Sequence, residues 1–207
     1  MIKTLTFVAL SVGVISAHAT VANLLENPGF ESGLDAWQHT ARASIRLADP
    51  APYEGSKYVF GDSTASFSVW QDVDLLAAGY TATQIDDGLL AATFGGFQSG
   101  WHTQHDYGQI SLSFLDGQLQ ELGSTALPTF FSNNTWVEQT GSAMLLEGTR
   151  TLRYKFVGTR VAGSNNDGYL DAAYLTVSAV PEPESAAMLL TGLGLVGAVV
   201  RRRIPHV

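Results

Sequence analysis

Apolar and polar positions follow a period of two in several short stretches of the chain. From Gln109 to Phe114 every second residue is apolar, which is typical of a strand with one buried face. Alternating or β-branched and aromatic stretches also occupy residues 44–47, 57–60, 66–73, 89–97, 135–140, 150–157 and 169–177. Turn-forming residues separate them. The pattern predicts an all-β sandwich of about eight strands over residues 20–178, with 81–87 the best candidate for a short helix or turn.

The first 19 residues have the three parts of a secretory signal peptide. Lys3 is basic, residues 5–15 form a mostly apolar run, and Ala17-His18-Ala19 is a cleavage site of the small-x-small type. We expect cleavage after Ala19, so that the mature chain starts at Thr20. The alternative is that this run is a buried N-terminal strand or helix.

The other end of the chain has a different apolar segment. A linker at residues 179–185 contains Pro181-Glu182-Pro183, and residues 186–200 follow without a charge until Arg201, Arg202 and Arg203. This run of fifteen residues is shorter than the roughly 20 that span a bilayer comfortably. We expect residues 186–203 to form one C-terminal transmembrane helix whose arginines stay on the cytoplasmic side.

The three parts of this tail resemble, in order, the PEP-CTERM sorting signal of Gram-negative bacteria that make extracellular polysaccharide. The resemblance implies export by the Sec machinery and a transient membrane anchor. It further implies that an exosortase processes the tail near Pro181-Glu182-Pro183 and releases the protein to the cell envelope or the extracellular matrix. The rival interpretation is a permanent single-span anchor.

The net charge narrows the class of ligand. Residues 20–178 contain seven Lys or Arg and seventeen Asp or Glu, a net charge of −10. Such a surface disfavours nucleic acid and anionic lipid, which need positive charge, and it suits neutral sugars and cations. The chain has no cysteine, so the exported domain has neither disulfides nor thiolate metal sites.

A second resemblance covers almost the whole domain. The segment from Asn23 to Gly33 contains Asn-Pro-Gly-Phe-Glu and is followed by Trp37, then Gly55-Ser56, then Gln71-Asp72-Val73, and finally the segment 169–175. This order is similar to that of jelly-roll carbohydrate-binding modules of the galactose-binding-like type. The resemblance implies a jelly-roll β-sandwich that binds polysaccharide. Because the same fold also serves as plain adhesion modules, a structural or adhesive matrix protein is the alternative.

The second resemblance also implies a structural calcium ion. In the modules that the chain resembles, the positions of Glu31 and Asp171 often hold Ca²⁺ together with carbonyl groups near Gly55. Calcium takes six to eight oxygen ligands, which carboxylates and carbonyls supply. The alternative is that both carboxylates only cap turns or accept bonds from backbone N–H groups.

The loop from Trp101 to Tyr107 is the best sequence candidate for a ligand face. Aromatic rings next to amide and carboxylate groups are what sugar recognition uses, so we expect Trp101, Gln104, Asp106 and Tyr107 to contact the ligand. The alternative is that Trp101 only covers the core. We interpret the other three tryptophans as core or rim packing; they are Trp37, Trp70 and Trp136.

Catalytic motifs give little support for an enzyme. Gly61-Asp62-Ser63 lacks the strand-turn-helix setting of a serine nucleophile, and no Gly-x-Ser-x-Gly elbow or phosphate-binding loop occurs. The sequence therefore predicts a non-enzymatic, exported protein that binds extracellular polysaccharide. A secreted hydrolase is a further, weaker alternative.

Overall fold

The described part of the chain consists of ten strands and one short helix. A computed structural model describes residues 21–180 together with residues 192 and 193. The elements are β1 (Gln38–His39), β2 (Ala43–Arg46), β3 (Tyr58–Gly61), β4 (Ser66–Asp74), α1 (Ala82–Asp86), β5 (Leu90–Ser99), β6 (Tyr107–Leu115), β7 (Glu121–Ala126), β8 (Val137–Met144), β9 (Thr151–Thr159) and β10 (Asn166–Ala179).

The strands form two antiparallel sheets of five strands each. Sheet A has the order β1-β4-β9-β6-β7, and sheet B has the order β2-β3-β10-β5-β8. Most neighbours within a sheet are distant in sequence, which is the crossover connectivity of Greek-key sandwiches. The predicted all-β sandwich is therefore confirmed.

The core lies between the two sheets and follows the alternation of the sequence. In β4, Phe67 and Val69 are almost fully buried and point inward, while Trp70 and Asp72 on the other side of the strand are half-buried. The same alternation supplies inward-facing side chains from the other central strands, among them Val59, Phe94, Ile110, Leu112, Leu152, Tyr154, Phe156, Leu170 and Leu175. Each such burial stabilises the fold by roughly 1.5–3 kcal/mol.

The first described residues close the sandwich against its last strand. The amide of Leu24 donates to the carbonyl of Leu175 at 2.8 Å. The side chain of Asn23 bonds Ala173 and Leu175 at 2.9 and 3.0 Å. Trp37 follows in the core, stacked on Phe30 with 5.0 Å between ring centroids. The two ends of the domain therefore meet, as sandwich topology predicts.

The eight predicted strands all coincide with observed strands, but β1 and β7 were not predicted. β1 has only two residues, and β7 reads Glu-Leu-Gly-Ser-Thr-Ala, which contains a single β-branched residue. Both are edge strands that exist because a long neighbour offers unpaired backbone groups: β1 pairs with β4, and β7 with β6.

The short helix occurs at the predicted place. Thr81 caps it in a capping box with Gln84, in which each side chain bonds the backbone N–H of the other residue. At its end, Asp86 receives both terminal nitrogens of Arg150 at 2.8 and 2.9 Å. This pairing lowers the pKa of Asp86 to about 2. The helix is thereby tied to the start of β9.

The two terminal predictions lie outside the described residues. They are the signal peptide at 1–19 and the sorting tail, with Pro181, Glu182, Pro183, Arg201, Arg202 and Arg203. Among the described residues, no helix has the length and apolar character needed to cross a membrane.

Candidate functional site

Glu31 clamps the turn that contains Gly55. Its Oε1 accepts bonds from the amides of Ser56 and Lys57 at 2.8 and 2.9 Å, and its Oε2 accepts the hydroxyl of Ser56 at 2.8 Å. These bonds from Ser56 and Lys57 lower the pKa of Glu31. The ammonium of Lys57 also donates to the carbonyl of Glu31 at 2.6 Å. Glu31 therefore acts as an acceptor for the turn.

Asp171 holds the same segment from the other side. It lies on β10, is fully buried, and its Oδ2 accepts the amides of Tyr53 and Glu54 at 2.9 and 3.2 Å. Its Oδ1 accepts the amide of Ala172 at 2.7 Å. Burial raises the pKa of Asp171 to about 6, although these N–H bonds act in the opposite direction.

These contacts match the capping alternative better than the calcium prediction. Donor groups engage both carboxylate oxygens of Glu31 and of Asp171, and a cationic ammonium already lies at the carbonyl of Glu31. Calcium requires six to eight free oxygen ligands. Within residues 21–180, no group of three acidic or histidine side chains converges on one point. Ca²⁺ at Glu31, Asp171 and Gly55 stays a prediction for experiment.

Trp101 and Gln104 come together in a cavity on the outer side of sheet B. A turn, in which the amide of Gln104 donates to the carbonyl of Trp101 at 3.0 Å, brings the two side chains to one side. Together with Arg46 and Asp167 they line a cavity of about 190 Å³ whose rim is formed by Ser164 and Asn165. We call this the loop cavity.

Arg46 is held in the loop cavity by hydrogen bonds and by two aromatic rings. Its guanidinium carbon lies 4.8 Å from the ring centroid of Trp101 and 5.3 Å from that of Tyr169. Its Nη1 donates to the hydroxyl of Tyr169 at 2.9 Å and to Asp167 at 3.3 Å, and its Nε donates to the carbonyl of Ala48 at 2.9 Å. Trp101 is half-buried. Its ring covers Arg46 rather than the hydrophobic core.

Asp106 does not face a ligand, contrary to the sequence prediction. It is fully buried, its Oδ1 accepts the amides of Val161 and Ala162 at 2.7 and 2.9 Å, and its Oδ2 accepts the amide of Asp167 at 2.9 Å. Tyr107 begins β6, outside the residues that line the loop cavity. The reason is the alternation of the strand, which starts here and sends neighbouring residues to opposite sides.

Sheet A presents a second candidate site on its outer face. Loops and aromatic side chains bury the outer side of sheet B, where Tyr58 and Tyr169 are 0% exposed. In contrast, the outward side chains of the central strands of sheet A are half-exposed, including Trp70, Arg153 and Lys155. We call this surface, formed by the outward residues of β4, β9 and β6, the open face.

The strand register aligns aromatic and polar groups on the open face. Trp70 is opposite Lys155, and Lys155 is opposite Ser111, so these three side chains form one row across the sheet. In the next row, Asp72 accepts two bonds from Arg153, at 2.6 Å to Nε and 2.7 Å to Nη2. The second row is therefore held in place before any ligand arrives.

A larger cavity adjoins the Trp70 side of the open face. It has a volume of about 320 Å³ and lies between the residues that lead into the edge strand β1 and the end of β4. Gln38 connects the two features, because it lines this cavity and its Oε1 accepts the indole N–H of Trp70 at 3.1 Å. Asp72, from the ion pair on the open face, lines the cavity as well. We call it the edge cavity.

Sequence reasoning missed the residues of the open face, although a signal was present. Trp70 was interpreted as packing, yet it occupies the polar phase of β4 together with Ser66, Ser68 and Asp72. A tryptophan in the polar phase of an alternating strand points away from the core. No such signal exists for Arg46 and Asp167, because only the fold brings β2, the loop after β5 and the start of β10 together.

Comparison with known proteins confirms the sorting signal. Residues 179–203 match the family model described as the PEP-CTERM protein-sorting motif. This motif implies an exported protein that passes through the membrane and is sorted by an exosortase. Comparison of the sequence with functionally curated proteins gives no match.

Comparison with solved structures confirms the jelly-roll fold. A family 16 carbohydrate-binding module is 18% identical, with a TM-score of 0.53 over 74% of this chain and 99% of its own. The family 61 module TmCBM61, solved with β-1,4-galactotriose, is 19% identical, with a TM-score of 0.52 over 76% of this chain and 99% of its own.

The enzymatically active domain of tailspike protein 4 from bacteriophage CBA120 is also similar. It is 13% identical, with a TM-score of 0.56 over 75% of this chain, which spans only 21% of the phage chain. Identities this low show the fold alone. The chain is thus an exported protein in which a jelly-roll β-sandwich, of the fold found in carbohydrate-binding modules, precedes a PEP-CTERM sorting motif.

Proposed function

We propose that this exported protein binds polysaccharide in the cell envelope or extracellular matrix, and that the open face of sheet A is its binding surface. The observation that carries the proposal is the position of Trp70. Its ring lies on a half-exposed sheet face, in one row with Lys155 and Ser111 and next to the edge cavity.

The chemistry of the open face suits a neutral sugar chain. An aromatic ring offers an apolar surface for the C–H face of a pyranose, and the neighbouring hydroxyl, amide and ammonium groups bond its hydroxyls. The bidentate pair of Asp72 and Arg153 neutralises the two charges nearest the row. An extended sheet surface matches an extended chain, whereas a negatively charged domain repels a polyanion.

Two kinds of comparison support this proposal. The PEP-CTERM motif implies export, which a protein that binds envelope or matrix polysaccharide requires. The similar folds include a module solved with a β-1,4-linked galactose trimer. Neither comparison names the sugar that this chain binds.

We predict that Trp70→Ala weakens polysaccharide binding at least tenfold, which corresponds to about 1.4 kcal/mol of binding free energy. Affinity electrophoresis of the full chain through gels containing neutral polysaccharides, including the polymer of the producing cell, measures this change. Trp136→Ala is the matched control, because it removes the same side chain from the covered outer side of sheet B, outside the residues that line the loop cavity. Equal affinities of wild type and Trp70→Ala would contradict the assignment of the open face.

A structural or adhesive matrix protein without a sugar ligand is the alternative function. It predicts no retardation by any polysaccharide, including the polymer of the producing cell. We further propose that the protein acts by binding and not by catalysis. Release of reducing ends from a polysaccharide that the protein retains, or turnover of model esters or glycosides, would contradict that proposal and favour a hydrolase.

A further inference from the structure

The loop cavity contains a buried acceptor that the protein itself leaves without a partner. Among the described residues, Oε1 of Gln104 is one of the few buried polar atoms with no hydrogen bond. The amide group of Gln104 is confined, since a Cβ atom added at Gly163 would lie 2.7 Å from its Oε1. A buried acceptor without a partner costs about 1–3 kcal/mol. Almost none of the surface of Oε1 is open to the cavity, so a ligand hydroxyl removes that cost only after the Gln104 amide turns toward it.

Arg46 and Asp167, on the wall of the loop cavity, each have one polar side-chain atom without a hydrogen bond among the described residues. Within the described residues, Arg46 donates its hydrogen bonds through Nε and Nη1. The side chain of Asp167 accepts through Oδ1, from Arg46 and from the hydroxyl of Tyr169. Nη2 of Arg46 and Oδ2 of Asp167 are thus left to a ligand as one donor and one acceptor. Since the two side chains form an ion pair, the cavity favours a neutral molecule.

Arg46 and the loop that leads into β10 are held in place before a ligand binds. Asp106 fixes the loop that leads into β10 through bonds to the amides of Val161, Ala162 and Asp167. Arg46 is held by three bonds and by the faces of Trp101 and Tyr169. A cavity that needs no ordering on binding favours affinity for a small ligand.

We propose that the loop cavity binds a single neutral sugar residue, such as the end or a branch of a glycan chain. Its volume of about 190 Å³ lies below the roughly 300–1,000 Å³ of pockets for drug-sized ligands, which suits one monosaccharide and not an oligosaccharide. Gln104 and Asp167 accept hydroxyl protons, Arg46 donates, and the ring edge of Trp101 covers the sugar. This site is separate from the open face and does not depend on it.

Titration of the full chain with methyl glycosides of neutral hexoses tests the proposal, in a detergent that carries no sugar. Tryptophan fluorescence and NMR are the readouts. We expect saturable binding of at least one glycoside and binding at least tenfold weaker in Gln104→Leu. Gln118→Leu is the matched control, since Gln118 is exposed in a turn far from this cavity. Glucuronate and glucosamine should bind more weakly than their neutral counterpart.

Several results would overturn the proposal. They are the absence of saturable binding by every monosaccharide, equal binding by Gln104→Leu and wild type, or tighter binding of a charged sugar. Loss of monosaccharide binding in Trp70→Ala would place the ligand on the open face instead. If Gln104→Leu does not fold, Asn165→Ala replaces it, because Asn165 is an exposed residue of the rim. Monosaccharide binding that is unchanged in Asn165→Ala would likewise refute the site.

Discussion

Gly55 shows how a single residue determines a local structure. Its φ of +59° lies in the left-handed region, and a Cβ atom added there would be 2.4 Å from Oε1 of Glu31. Two separate effects therefore require glycine at this position: the backbone conformation and the close approach of a carboxylate that holds the turn. The sequence resemblance already places Glu31 near Gly55, and the structure shows that the contact runs through the amides of Ser56 and Lys57.

We predict that Gly55→Ala lowers the free energy of unfolding by about 1–3 kcal/mol more than Gly33→Ala does. Gly33 has a similar φ of +71° with nothing within 4 Å of an added Cβ, so it reports the conformational cost alone. The difference then measures the loss of the bonds to Glu31. Urea unfolding of both variants supplies the values, and equal losses would show that the Glu31 contact contributes nothing.

The residues of the candidate sites were predictable to different degrees. Trp101 and Gln104 were found because polar and aromatic groups cluster in one loop. The prediction that Asp106, in the same loop, contacts a ligand was wrong. In sequence, a buried carboxylate that bonds loop amides looks the same as one that bonds a ligand. Arg46 could not be found at all, since Trp101 and Asp167, its neighbours in the cavity, lie more than 50 residues away in the chain.

At the scale of elements, the turn at residues 53–57 is held by two carboxylates from opposite ends of the domain. Glu31 bonds one half of the turn, and Asp171 bonds the other half from the last strand. This arrangement lets a short turn fasten the N-terminal segment to β10.

We predict that neither EDTA nor millimolar Ca²⁺ changes the melting temperature, because N–H and O–H donors engage the oxygens of both carboxylates. Thermal unfolding of the full chain, followed by circular dichroism, measures this. Stabilisation by Ca²⁺ in the wild type that disappears in Glu31→Gln or Asp171→Asn would contradict the capping interpretation. It would also restore the calcium site that the sequence resemblance implies.

The sequence predicted the positions of the strands better than it predicted which strand faces meet solvent. The period of two locates β4, β6 and β9 because a half-buried strand must alternate. The same pattern does not tell whether the polar side meets solvent or a covering loop. Sheet B has its outer side covered by residues from the segment before β3 and by Trp136, whose indole N–H donates to the carbonyl of Ala51 at 2.7 Å. Only the structure distinguishes the covered sheet from the open one.

At the scale of the whole molecule, the ends of the chain decide where the domain works. We predict that mass spectrometry of the mature protein finds an N-terminus at Thr20 and a C-terminus near Pro181-Glu182-Pro183. We expect this form outside the cytoplasmic membrane. Cell fractionation of the producer, with and without its exosortase, is the measurement. An intact tail that stays in the membrane in both strains would instead favour a permanent anchor.

The sequence by itself determined that the chain has a sorting motif and which class of fold it adopts. The sorting motif is recognised as a linear pattern, and a core between two sheets imposes a period of two that can be counted along the chain. The tertiary structure decided which surface can bind. A binding site needs side chains from several strands at fixed distances, as in the row of Trp70, Lys155 and Ser111, and strand register is set by packing rather than by local sequence.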